Sequence, residues 1–285
     1  MLWQQLINGL SLGVTYSLVA VGYTLVFGVL NVINMAHGAI FMAAAYVFIY
    51  LVQFLKIPPY IAFAVSIGSA GLMGIMLERL TIRPIIKKGA LLPLITTIGV
   101  SVILQNTIIN LFTNLQRPFP VKIAPVFYQL GPMSVSNIQL INLVVAFSLM
   151  LFLKLYIDRT KTGMAIRAVA ENIDIAGCFG INTSRIMMLT VALASFFGGI
   201  AGLLIGMTFD AISPWMGGTF GLKGLIILIV AGVSSIEGAM LVGIILGVVE
   251  IFSVAYISPA FRDAIAFAFL FAVLVIRPSG LFGKE

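Results

Sequence analysis

The chain has 285 residues, of which 61% are hydrophobic and only 9% charged, and its mean hydropathy is +1.17. Soluble domains carry about a quarter charged residues, so the composition excludes a soluble enzyme or a nucleic-acid-binding module despite a net charge of +7 and a pI near 9.7. The basic excess has to be read by side of a membrane, and the surroundings it implies are a lipid bilayer, with no nucleic acid.

Several runs reach or approach the roughly 20 apolar residues that a helix needs to cross hydrocarbon, and none shows the turn-punctuated alternation of a barrel strand. In chain order, spans are predicted at about 6–30, 39–55, 60–80, 91–112, 140–156, 186–208, 224–233, 239–256 and 261–276. The seventh is short for a full crossing and reads as a broken or re-entrant helix. The expected fold is therefore an all-α polytopic membrane protein of eight to nine transmembrane segments, forming one domain over 1–285. The opening MLWQQLINGL has no basic side chain before its apolar run and no small-residue cleavage site after it, so the first span is expected to stay in the mature protein.

The first two spans are rich in polar groups. Asn8, Thr15, Tyr16, Tyr23 and Thr24 lie in the first, and Asn31, Asn34, His37 and Gly38 lie at the break before the second. Polar side chains inside a bilayer are costly and point to function. An interrupted helix also exposes backbone donors and acceptors where it lines a cavity, which would suit the carboxylate and ammonium of an amino acid. Thr15, Tyr16, Tyr23, Asn31, Asn34, His37 and Gly38 are therefore the candidate pathway residues. Helix packing through small and polar residues is the competing account of each. A proton relay through His37 would need a second histidine, and the chain has one.

Basic residues collect after the third span (Arg79, Arg83, Lys87, Lys88), around the connection that follows the fifth (Lys154, Arg159, Lys161, Arg167, Arg185), and at the end of the chain (Arg277, Lys284). These are the expected cytoplasmic ends. Nine crossings then put the N-terminus, Lys56, Arg117, Lys122 and Arg262 outside and the C-terminus inside, with Lys223 at a membrane edge. The external connection 113–137 contains Pro118, Pro120, Pro125 and Pro132 and no acidic residue, so extended and turn conformations are expected there. A second external segment, FDAISPWMGGTFG at 209–221, reads as a surface turn anchored by Trp215. Either could receive a soluble partner.

The polar stretch TGMAIRAVAENIDIAGCFGINTSR at 162–185 stands apart from everything around it. Ile166, Val169, Ile173 and Ala176 recur at helical spacing on one face, and Arg167, Glu171 and Asp174 on another, which predicts a short amphipathic helix. Thr160 or Thr162 can cap its start and Gly177 or Gly180 can end it, while Arg167 and Glu171 are placed to pair one turn apart. So short a helix needs a surface for its apolar face. Cys178, the sole cysteine, lies here and excludes an internal disulfide. Beyond this stretch, Glu250 and Asp263 flank one external turn, with Arg262 as their expected ion-pair partner.

The order of Thr162, Gly163, Ala165, Arg167, Ala168, Ala170 and Asn172, then Ala176, Gly180, Ile181, Asn182 and Arg185, resembles the cytoplasmic coupling segment of permease subunits in ABC importers for branched-chain amino acids. Asn8, Gly9, Gly13, Tyr16, Ala20, Gly22 and Tyr23, then Asn34, Ala36, His37 and Gly38, follow the opening of the same family, closest to the H-type subunit of leucine/isoleucine/valine importers. Gly232, Ser235, Gly238, Ala239 and Gly243 give a third match, with departures at Ala231, Ser234 and Glu237.

The resemblance covers nearly the whole chain. It implies a transport subunit, not an enzyme, with a coupling segment at 159–185 that enters a cleft of an ATPase subunit. The candidate coupling residues are Gly163, Ala165, Arg167, Ala168, Ala170, Asn172, Gly180 and Asn182 from the resemblance, joined by Glu171 and Asp174 from the charged helix face, with Arg167, Glu171 and Asp174 as the expected polar contacts. It further implies two ATPase subunits, a second permease subunit (a homologue, or alternatively a second copy) and a periplasmic substrate-binding protein, all at the bacterial inner membrane.

No G-x-x-x-x-G-K-[ST] loop occurs, so ATP and magnesium are expected in the partner ATPases and no cofactor in this chain. No metal-binding or paired acid/base motif is evident, and no metal site is expected. Cargo other than branched-chain amino acids, such as urea, short amides or other amino acids, fits a similar permease. An ion-coupled secondary transporter and a passive channel are the rival classes.

Overall fold

The computed structural model describes residues 2–283 except 90, 122, 123, 125, 131, 132 and 234, and excludes the side chains of 87 and 130. Lys122, Pro125, Pro132, Ser234 and Lys284, and the side chain of Lys87, therefore lie outside the described residues.

Eleven α-helices are described. They are α1 (Leu2–Leu30), α2 (Ala36–Gln53), α3 (Pro59–Leu77), α4 (Leu91–Phe112), α5 (Asn137–Arg159), α6 (Lys161–Glu171), α7 (Ile173–Cys178), α8 (Thr183–Phe209), α9 (Met216–Ala231), α10 (Ile236–Tyr256) and α11 (Arg262–Ile276). A π-helical turn, Glu78–Ile82, extends α3. Eight of the segments are long and apolar enough to cross a membrane, and α9 is a shorter apolar helix. The 117–136 connection adds short strands. β1 (Arg117–Pro118) pairs with β4 (Ala211–Ile212), and β2 (Phe127–Leu130) pairs with β3 (Met133–Ser136), both antiparallel.

Three helices form the centre. The apolar windows of α1, α2 and α8 are 89%, 78% and 72% buried, against 17% for α4 and 11% for α11. The outer helices present Ile95, Ile103, Phe147, Phe152 and Phe271 outward, as expected of a surface facing lipid tails.

Close backbone approach makes the centre possible. Along α1 and α10, a methyl group added at Gly13 would come within 2.7 Å of Ile244 Cα, and Ser17 Oγ donates to the Met240 carbonyl at 2.6 Å. Gly38 on α2 and Gly217 on α9 meet backbone to backbone in the same way. Small residues let membrane helices gain dispersion contacts where no hydrophobic force separates protein from lipid.

The termini mark opposite ends of the bundle. Near the N-terminus, Gln4 exchanges two 2.8 Å hydrogen bonds with the backbone of Ser134, and Gln139 Nε2 donates to Asn8 Oδ1 at 2.9 Å. Near the C-terminus, Leu281 and Phe282 donate backbone bonds to the Val230 and Ala231 carbonyls at the end of α9, and Phe282 shares a cavity with α6. The two ends are called the N-terminal end and the α6 end below.

The seventh predicted span differs from expectation. It starts at Met216, not 224, and its start lies near Asn114 at the N-terminal end, while Ala231 lies at the α6 end. Residues 216–221 are thus helix and not surface turn. The helix reaches that far because Gly217 and Gly221 are buried against Gly38. Lys223 consequently lies inside the bundle, 3% exposed, and not at a membrane edge.

Candidate functional site: the α6–α7 segment and the polar groups behind it

Two helices replace the single one predicted over this stretch. Asn172 adopts an extended backbone and its Oδ1 accepts from the amides of Asp174 and Ile175 at 3.0 Å, ending α6 and capping α7. Asparagine is among the strongest N-caps, and a cap inside an amphipathic run breaks it. Thr160 caps α6 by accepting from Gly163 N at 3.0 Å, and Gly180 follows α7 with φ +80°. Asn182 caps α8 through the Arg185 amide.

The predicted faces hold across the break. Ile166, Val169 and Ala176 are buried, as is Gly163, where a Cβ would strike the Tyr156 and Ile157 carbonyls. Ala165 and Ala168 are half-buried, whereas Ala170, Glu171, Asn172, Asp174, Gly180 and Asn182 are exposed. Arg167 does not pair with Glu171. Its guanidinium bends back to the Ile157 carbonyl and lies 3.6 Å from Asp158, fastening α6 to the end of α5. The outward surface also carries Met164 (61% exposed), Ile175 (56%) and Phe179 (82%), apolar groups that the charge pattern had not singled out.

Behind α6 lies a cavity of about 810 Å³. Its walls are the last turns of α1 (Thr24, Leu25, Gly28, Val29), the end of α5, the inner side of α6, and the start of α10 with Phe282. Lys154 on α5 and Glu237 on α10 form an ion pair of 2.6 Å at this wall. A recess of about 400 Å³ beside it is lined by Asn31 together with Ala170, Glu171, Asn172 and Asp174, so one predicted pathway residue faces the same space as the coupling segment.

The other predicted pathway residues are divided. His37 is fully buried, edge-on to Tyr23 with ring centroids 4.7 Å apart, and wedged against Gly22 and Gly198. Asn34 Oδ1 accepts from the Ala36 amide at the start of α2, and Thr97 Oγ1 accepts from Met35 N. Asn31 takes φ +53° to turn the chain after α1. Thr15 bonds only back to the Ser11 carbonyl of its own helix. Gly38 serves the contact with α9. Around His37 the helices pack closely through Gly22 and Gly198, while both ring nitrogens and Asn34 Nδ2 have no hydrogen-bond partner among the described residues.

Tyr16 belongs to a different group. Its hydroxyl donates to Glu250 Oε1 at 2.9 Å, and Lys223 Nζ lies 2.9 Å from both carboxylate oxygens and 3.1 Å from the Tyr16 oxygen. Arg262 contacts the same carboxylate, as expected from sequence, and Asp263 Oδ1 lies 3.4 Å from Lys223. Two cations and two anions thus form a balanced cluster across α1, α9, α10 and α11. Charges flanked by apolar residues on both sides were the available signal for Lys223. Starting the seventh span at 224 concealed it.

The family described as "Branched-chain amino acid transport system / permease component" matches residues 5–274. The high-affinity branched-chain amino acid transport system permease protein BraD of Pseudomonas aeruginosa is 35% identical over 294 residues, covering 99% of this chain and 95% of its own. The permease protein LivH of Escherichia coli K12 is 34% identical over 302 residues with the same coverage. The probable branched-chain amino acid transport permease protein LivH of Methanocaldococcus jannaschii is 26% identical over 280 residues, 94% of this chain and 88% of its own. No solved structure matches the chain.

Proposed function

The chain belongs to the family of branched-chain amino acid transport system permease components, and from that premise we propose that it is a membrane subunit of an ABC importer for leucine, isoleucine and valine. It acts with two ATPase subunits, a second permease subunit and a periplasmic binding protein in the bacterial inner membrane. ATP and magnesium belong to the ATPases, and this chain performs no chemistry. The whole of 1–285 acts as one permease domain, with the α6 end in the cytoplasm and the N-terminal end outside.

The observation that carries this reading is the arrangement of α6 and α7. They leave the bundle, present an exposed apolar and acidic surface, and yet are fastened through Thr160, Gly163 and Arg167 to the end of α5. A push on that surface is carried into α5 and into the cavity wall formed by Ile166, Arg167, Ala170 and Glu171. Motion of α6 thereby changes the access of the space below α1, where cargo delivered from outside would leave for the cytosol. Phe179 and Ile175 meet the ATPase together with Ala170, Glu171, Asn172 and Asp174, which stand at the rim between that surface and the two recesses behind it, while Arg167 holds the lever to its helix.

The test is reconstitution. The complex in proteoliposomes takes up leucine only with ATP inside and loaded binding protein outside, and Ala170→Trp abolishes co-purification of the ATPase subunits while the permease remains folded. Uptake by the lone chain without an ATPase would replace this reading with a secondary transporter. Uptake of urea but of no apolar amino acid would keep the importer and change its cargo.

A further inference from the structure

We propose that the buried cluster of Lys223, Glu250 and Tyr16, with Arg262 and Asp263 at its open side, is a binding site for a zwitterionic α-amino acid, closed in the empty state by its own counter-ions. The inference rests on the permease reading above and names the place where cargo is recognised within the membrane.

Charge balance is the first argument. Lys223 (3% exposed side chain) and Glu250 (0%) lie between apolar helices, where an unpaired charge is costly. The cluster is neutral as a whole, so any ligand that enters must leave it neutral. A lone cation or anion would not. A zwitterion would, because its carboxylate can take the place of Glu250 or Asp263 beside Lys223 while its ammonium takes the place of Lys223 beside a carboxylate. The two charges of an α-amino acid are separated by a single carbon, a spacing comparable with the 2.9 and 3.4 Å contacts they would replace. Tyr16 adds a hydroxyl that donates to a carboxylate in either arrangement.

Access and surroundings point the same way. Asp263 is 66% exposed and Arg262 33%, so the cluster opens at the start of α11, toward the N-terminal end of the bundle. Phe220 and Phe209 stand beside it: Phe220 lies 5.8 Å from the Tyr16 ring and 6.2 Å from Phe209, whose ring lies 6.0 Å from the Arg262 guanidinium. A charged centre with an adjoining aromatic wall suits a small zwitterion that carries an apolar side chain. Tyr16 also lies two turns before Thr24 on α1, about 12 Å along the axis, and Thr24 lines the cavity behind α6. One helix thus connects the cluster with the proposed exit. A pair that served only to hold helices together could be replaced by apolar residues at little cost or at a gain.

The experiment uses the complete complex in proteoliposomes, with ATP and saturating binding protein, and measures radiolabelled leucine uptake. Asp263→Asn tests the site without disturbing the core, because Asp263 is exposed. Uptake is expected to fall at least about tenfold, with Asp263→Glu restoring most of it. The neutral double variant Lys223→Met with Glu250→Met is expected to assemble with the ATPases at wild-type yield and to lose uptake. Wild-type uptake, within twofold, in Asp263→Asn overturns the proposal whatever the double variant does. So does an assembled double variant that still transports. If the wild-type complex itself moves no amino acid, the permease reading fails instead.

Discussion

Arg167 turns away from the surface it was expected to serve and bonds the Ile157 carbonyl one helix back, with the Asp158 carboxylate 3.6 Å away. The side chain is half exposed, so the bond contributes about 0.5–1 kcal/mol, but it joins α6 to α5 at the point where force would pass. Arg167→Ala is expected to leave ATPase subunits bound, to speed hydrogen exchange across 161–171, and to lower leucine uptake several-fold. Phe179→Ala is expected to do the reverse, weakening co-purification with unchanged exchange in α6. Loss of ATPase binding in Arg167→Ala would return that residue to the interface.

Gly13 and Gly28 lie on the same helix in opposite situations. A methyl group at Gly13 would meet Ile244 Cα at 2.7 Å, while nothing lies within 4 Å of one at Gly28. Gly13→Val is expected to lower stability in detergent by about 1–3 kcal/mol through overpacking, read as a fall in melting temperature. Gly28→Ala is expected to raise the melting temperature slightly, since its methyl meets nothing in the cavity behind α6 and a helix-interior glycine costs about 0.5–1 kcal/mol relative to alanine.

Cys178 is exposed at the end of α7 and is the only thiol in the chain. A membrane-impermeant maleimide should label it in inside-out vesicles and not in right-side-out ones, and bound ATPase subunits should protect it. Labelling from the outside would invert the orientation proposed here.

Lys154 and Glu237 join α5 to α10 across the wall of the larger cavity. In a Cys178→Ser background, Lys154→Cys with Glu237→Cys is expected to form a cross-link with a bifunctional thiol reagent whose spacer replaces the reach of the two long side chains and carries a reducible disulfide. Uptake should stop when the pair is bridged and return when the spacer is reduced. Transport that continues at the normal rate through a closed cross-link would show that this wall does not move.

The order of the apolar helices was legible in the sequence because long apolar runs leave few alternatives in a membrane, while their number stayed at eight to nine because the seventh run is short. The amphipathic faces of 162–185 were legible as well. The break at Asn172 was not, since an N-cap within a continuous 3.6-residue pattern competes with the helix only by side-chain geometry. Residues 216–221 read as a turn because Trp215, Gly217, Gly218 and Gly221 are turn and interface residues by local rule. Their helix is set by tertiary contact with Gly38, which no local pattern records. The same misreading displaced Lys223, so only the Glu250, Arg262 and Asp263 part of its cluster could be foreseen.

The long contact between α1 and α10 has a consequence for how the protein is made. Helix α1 leaves the ribosome about 200 residues before its main partner α10, a delay of roughly 10–40 s at ordinary rates of synthesis. Throughout that interval Tyr16 and Ser17 lack the Glu250 and Met240 groups that later satisfy them. An insertase or another helix must shelter this face during biogenesis, and translation that stalls before residue 236 would leave α1 exposed to membrane quality control.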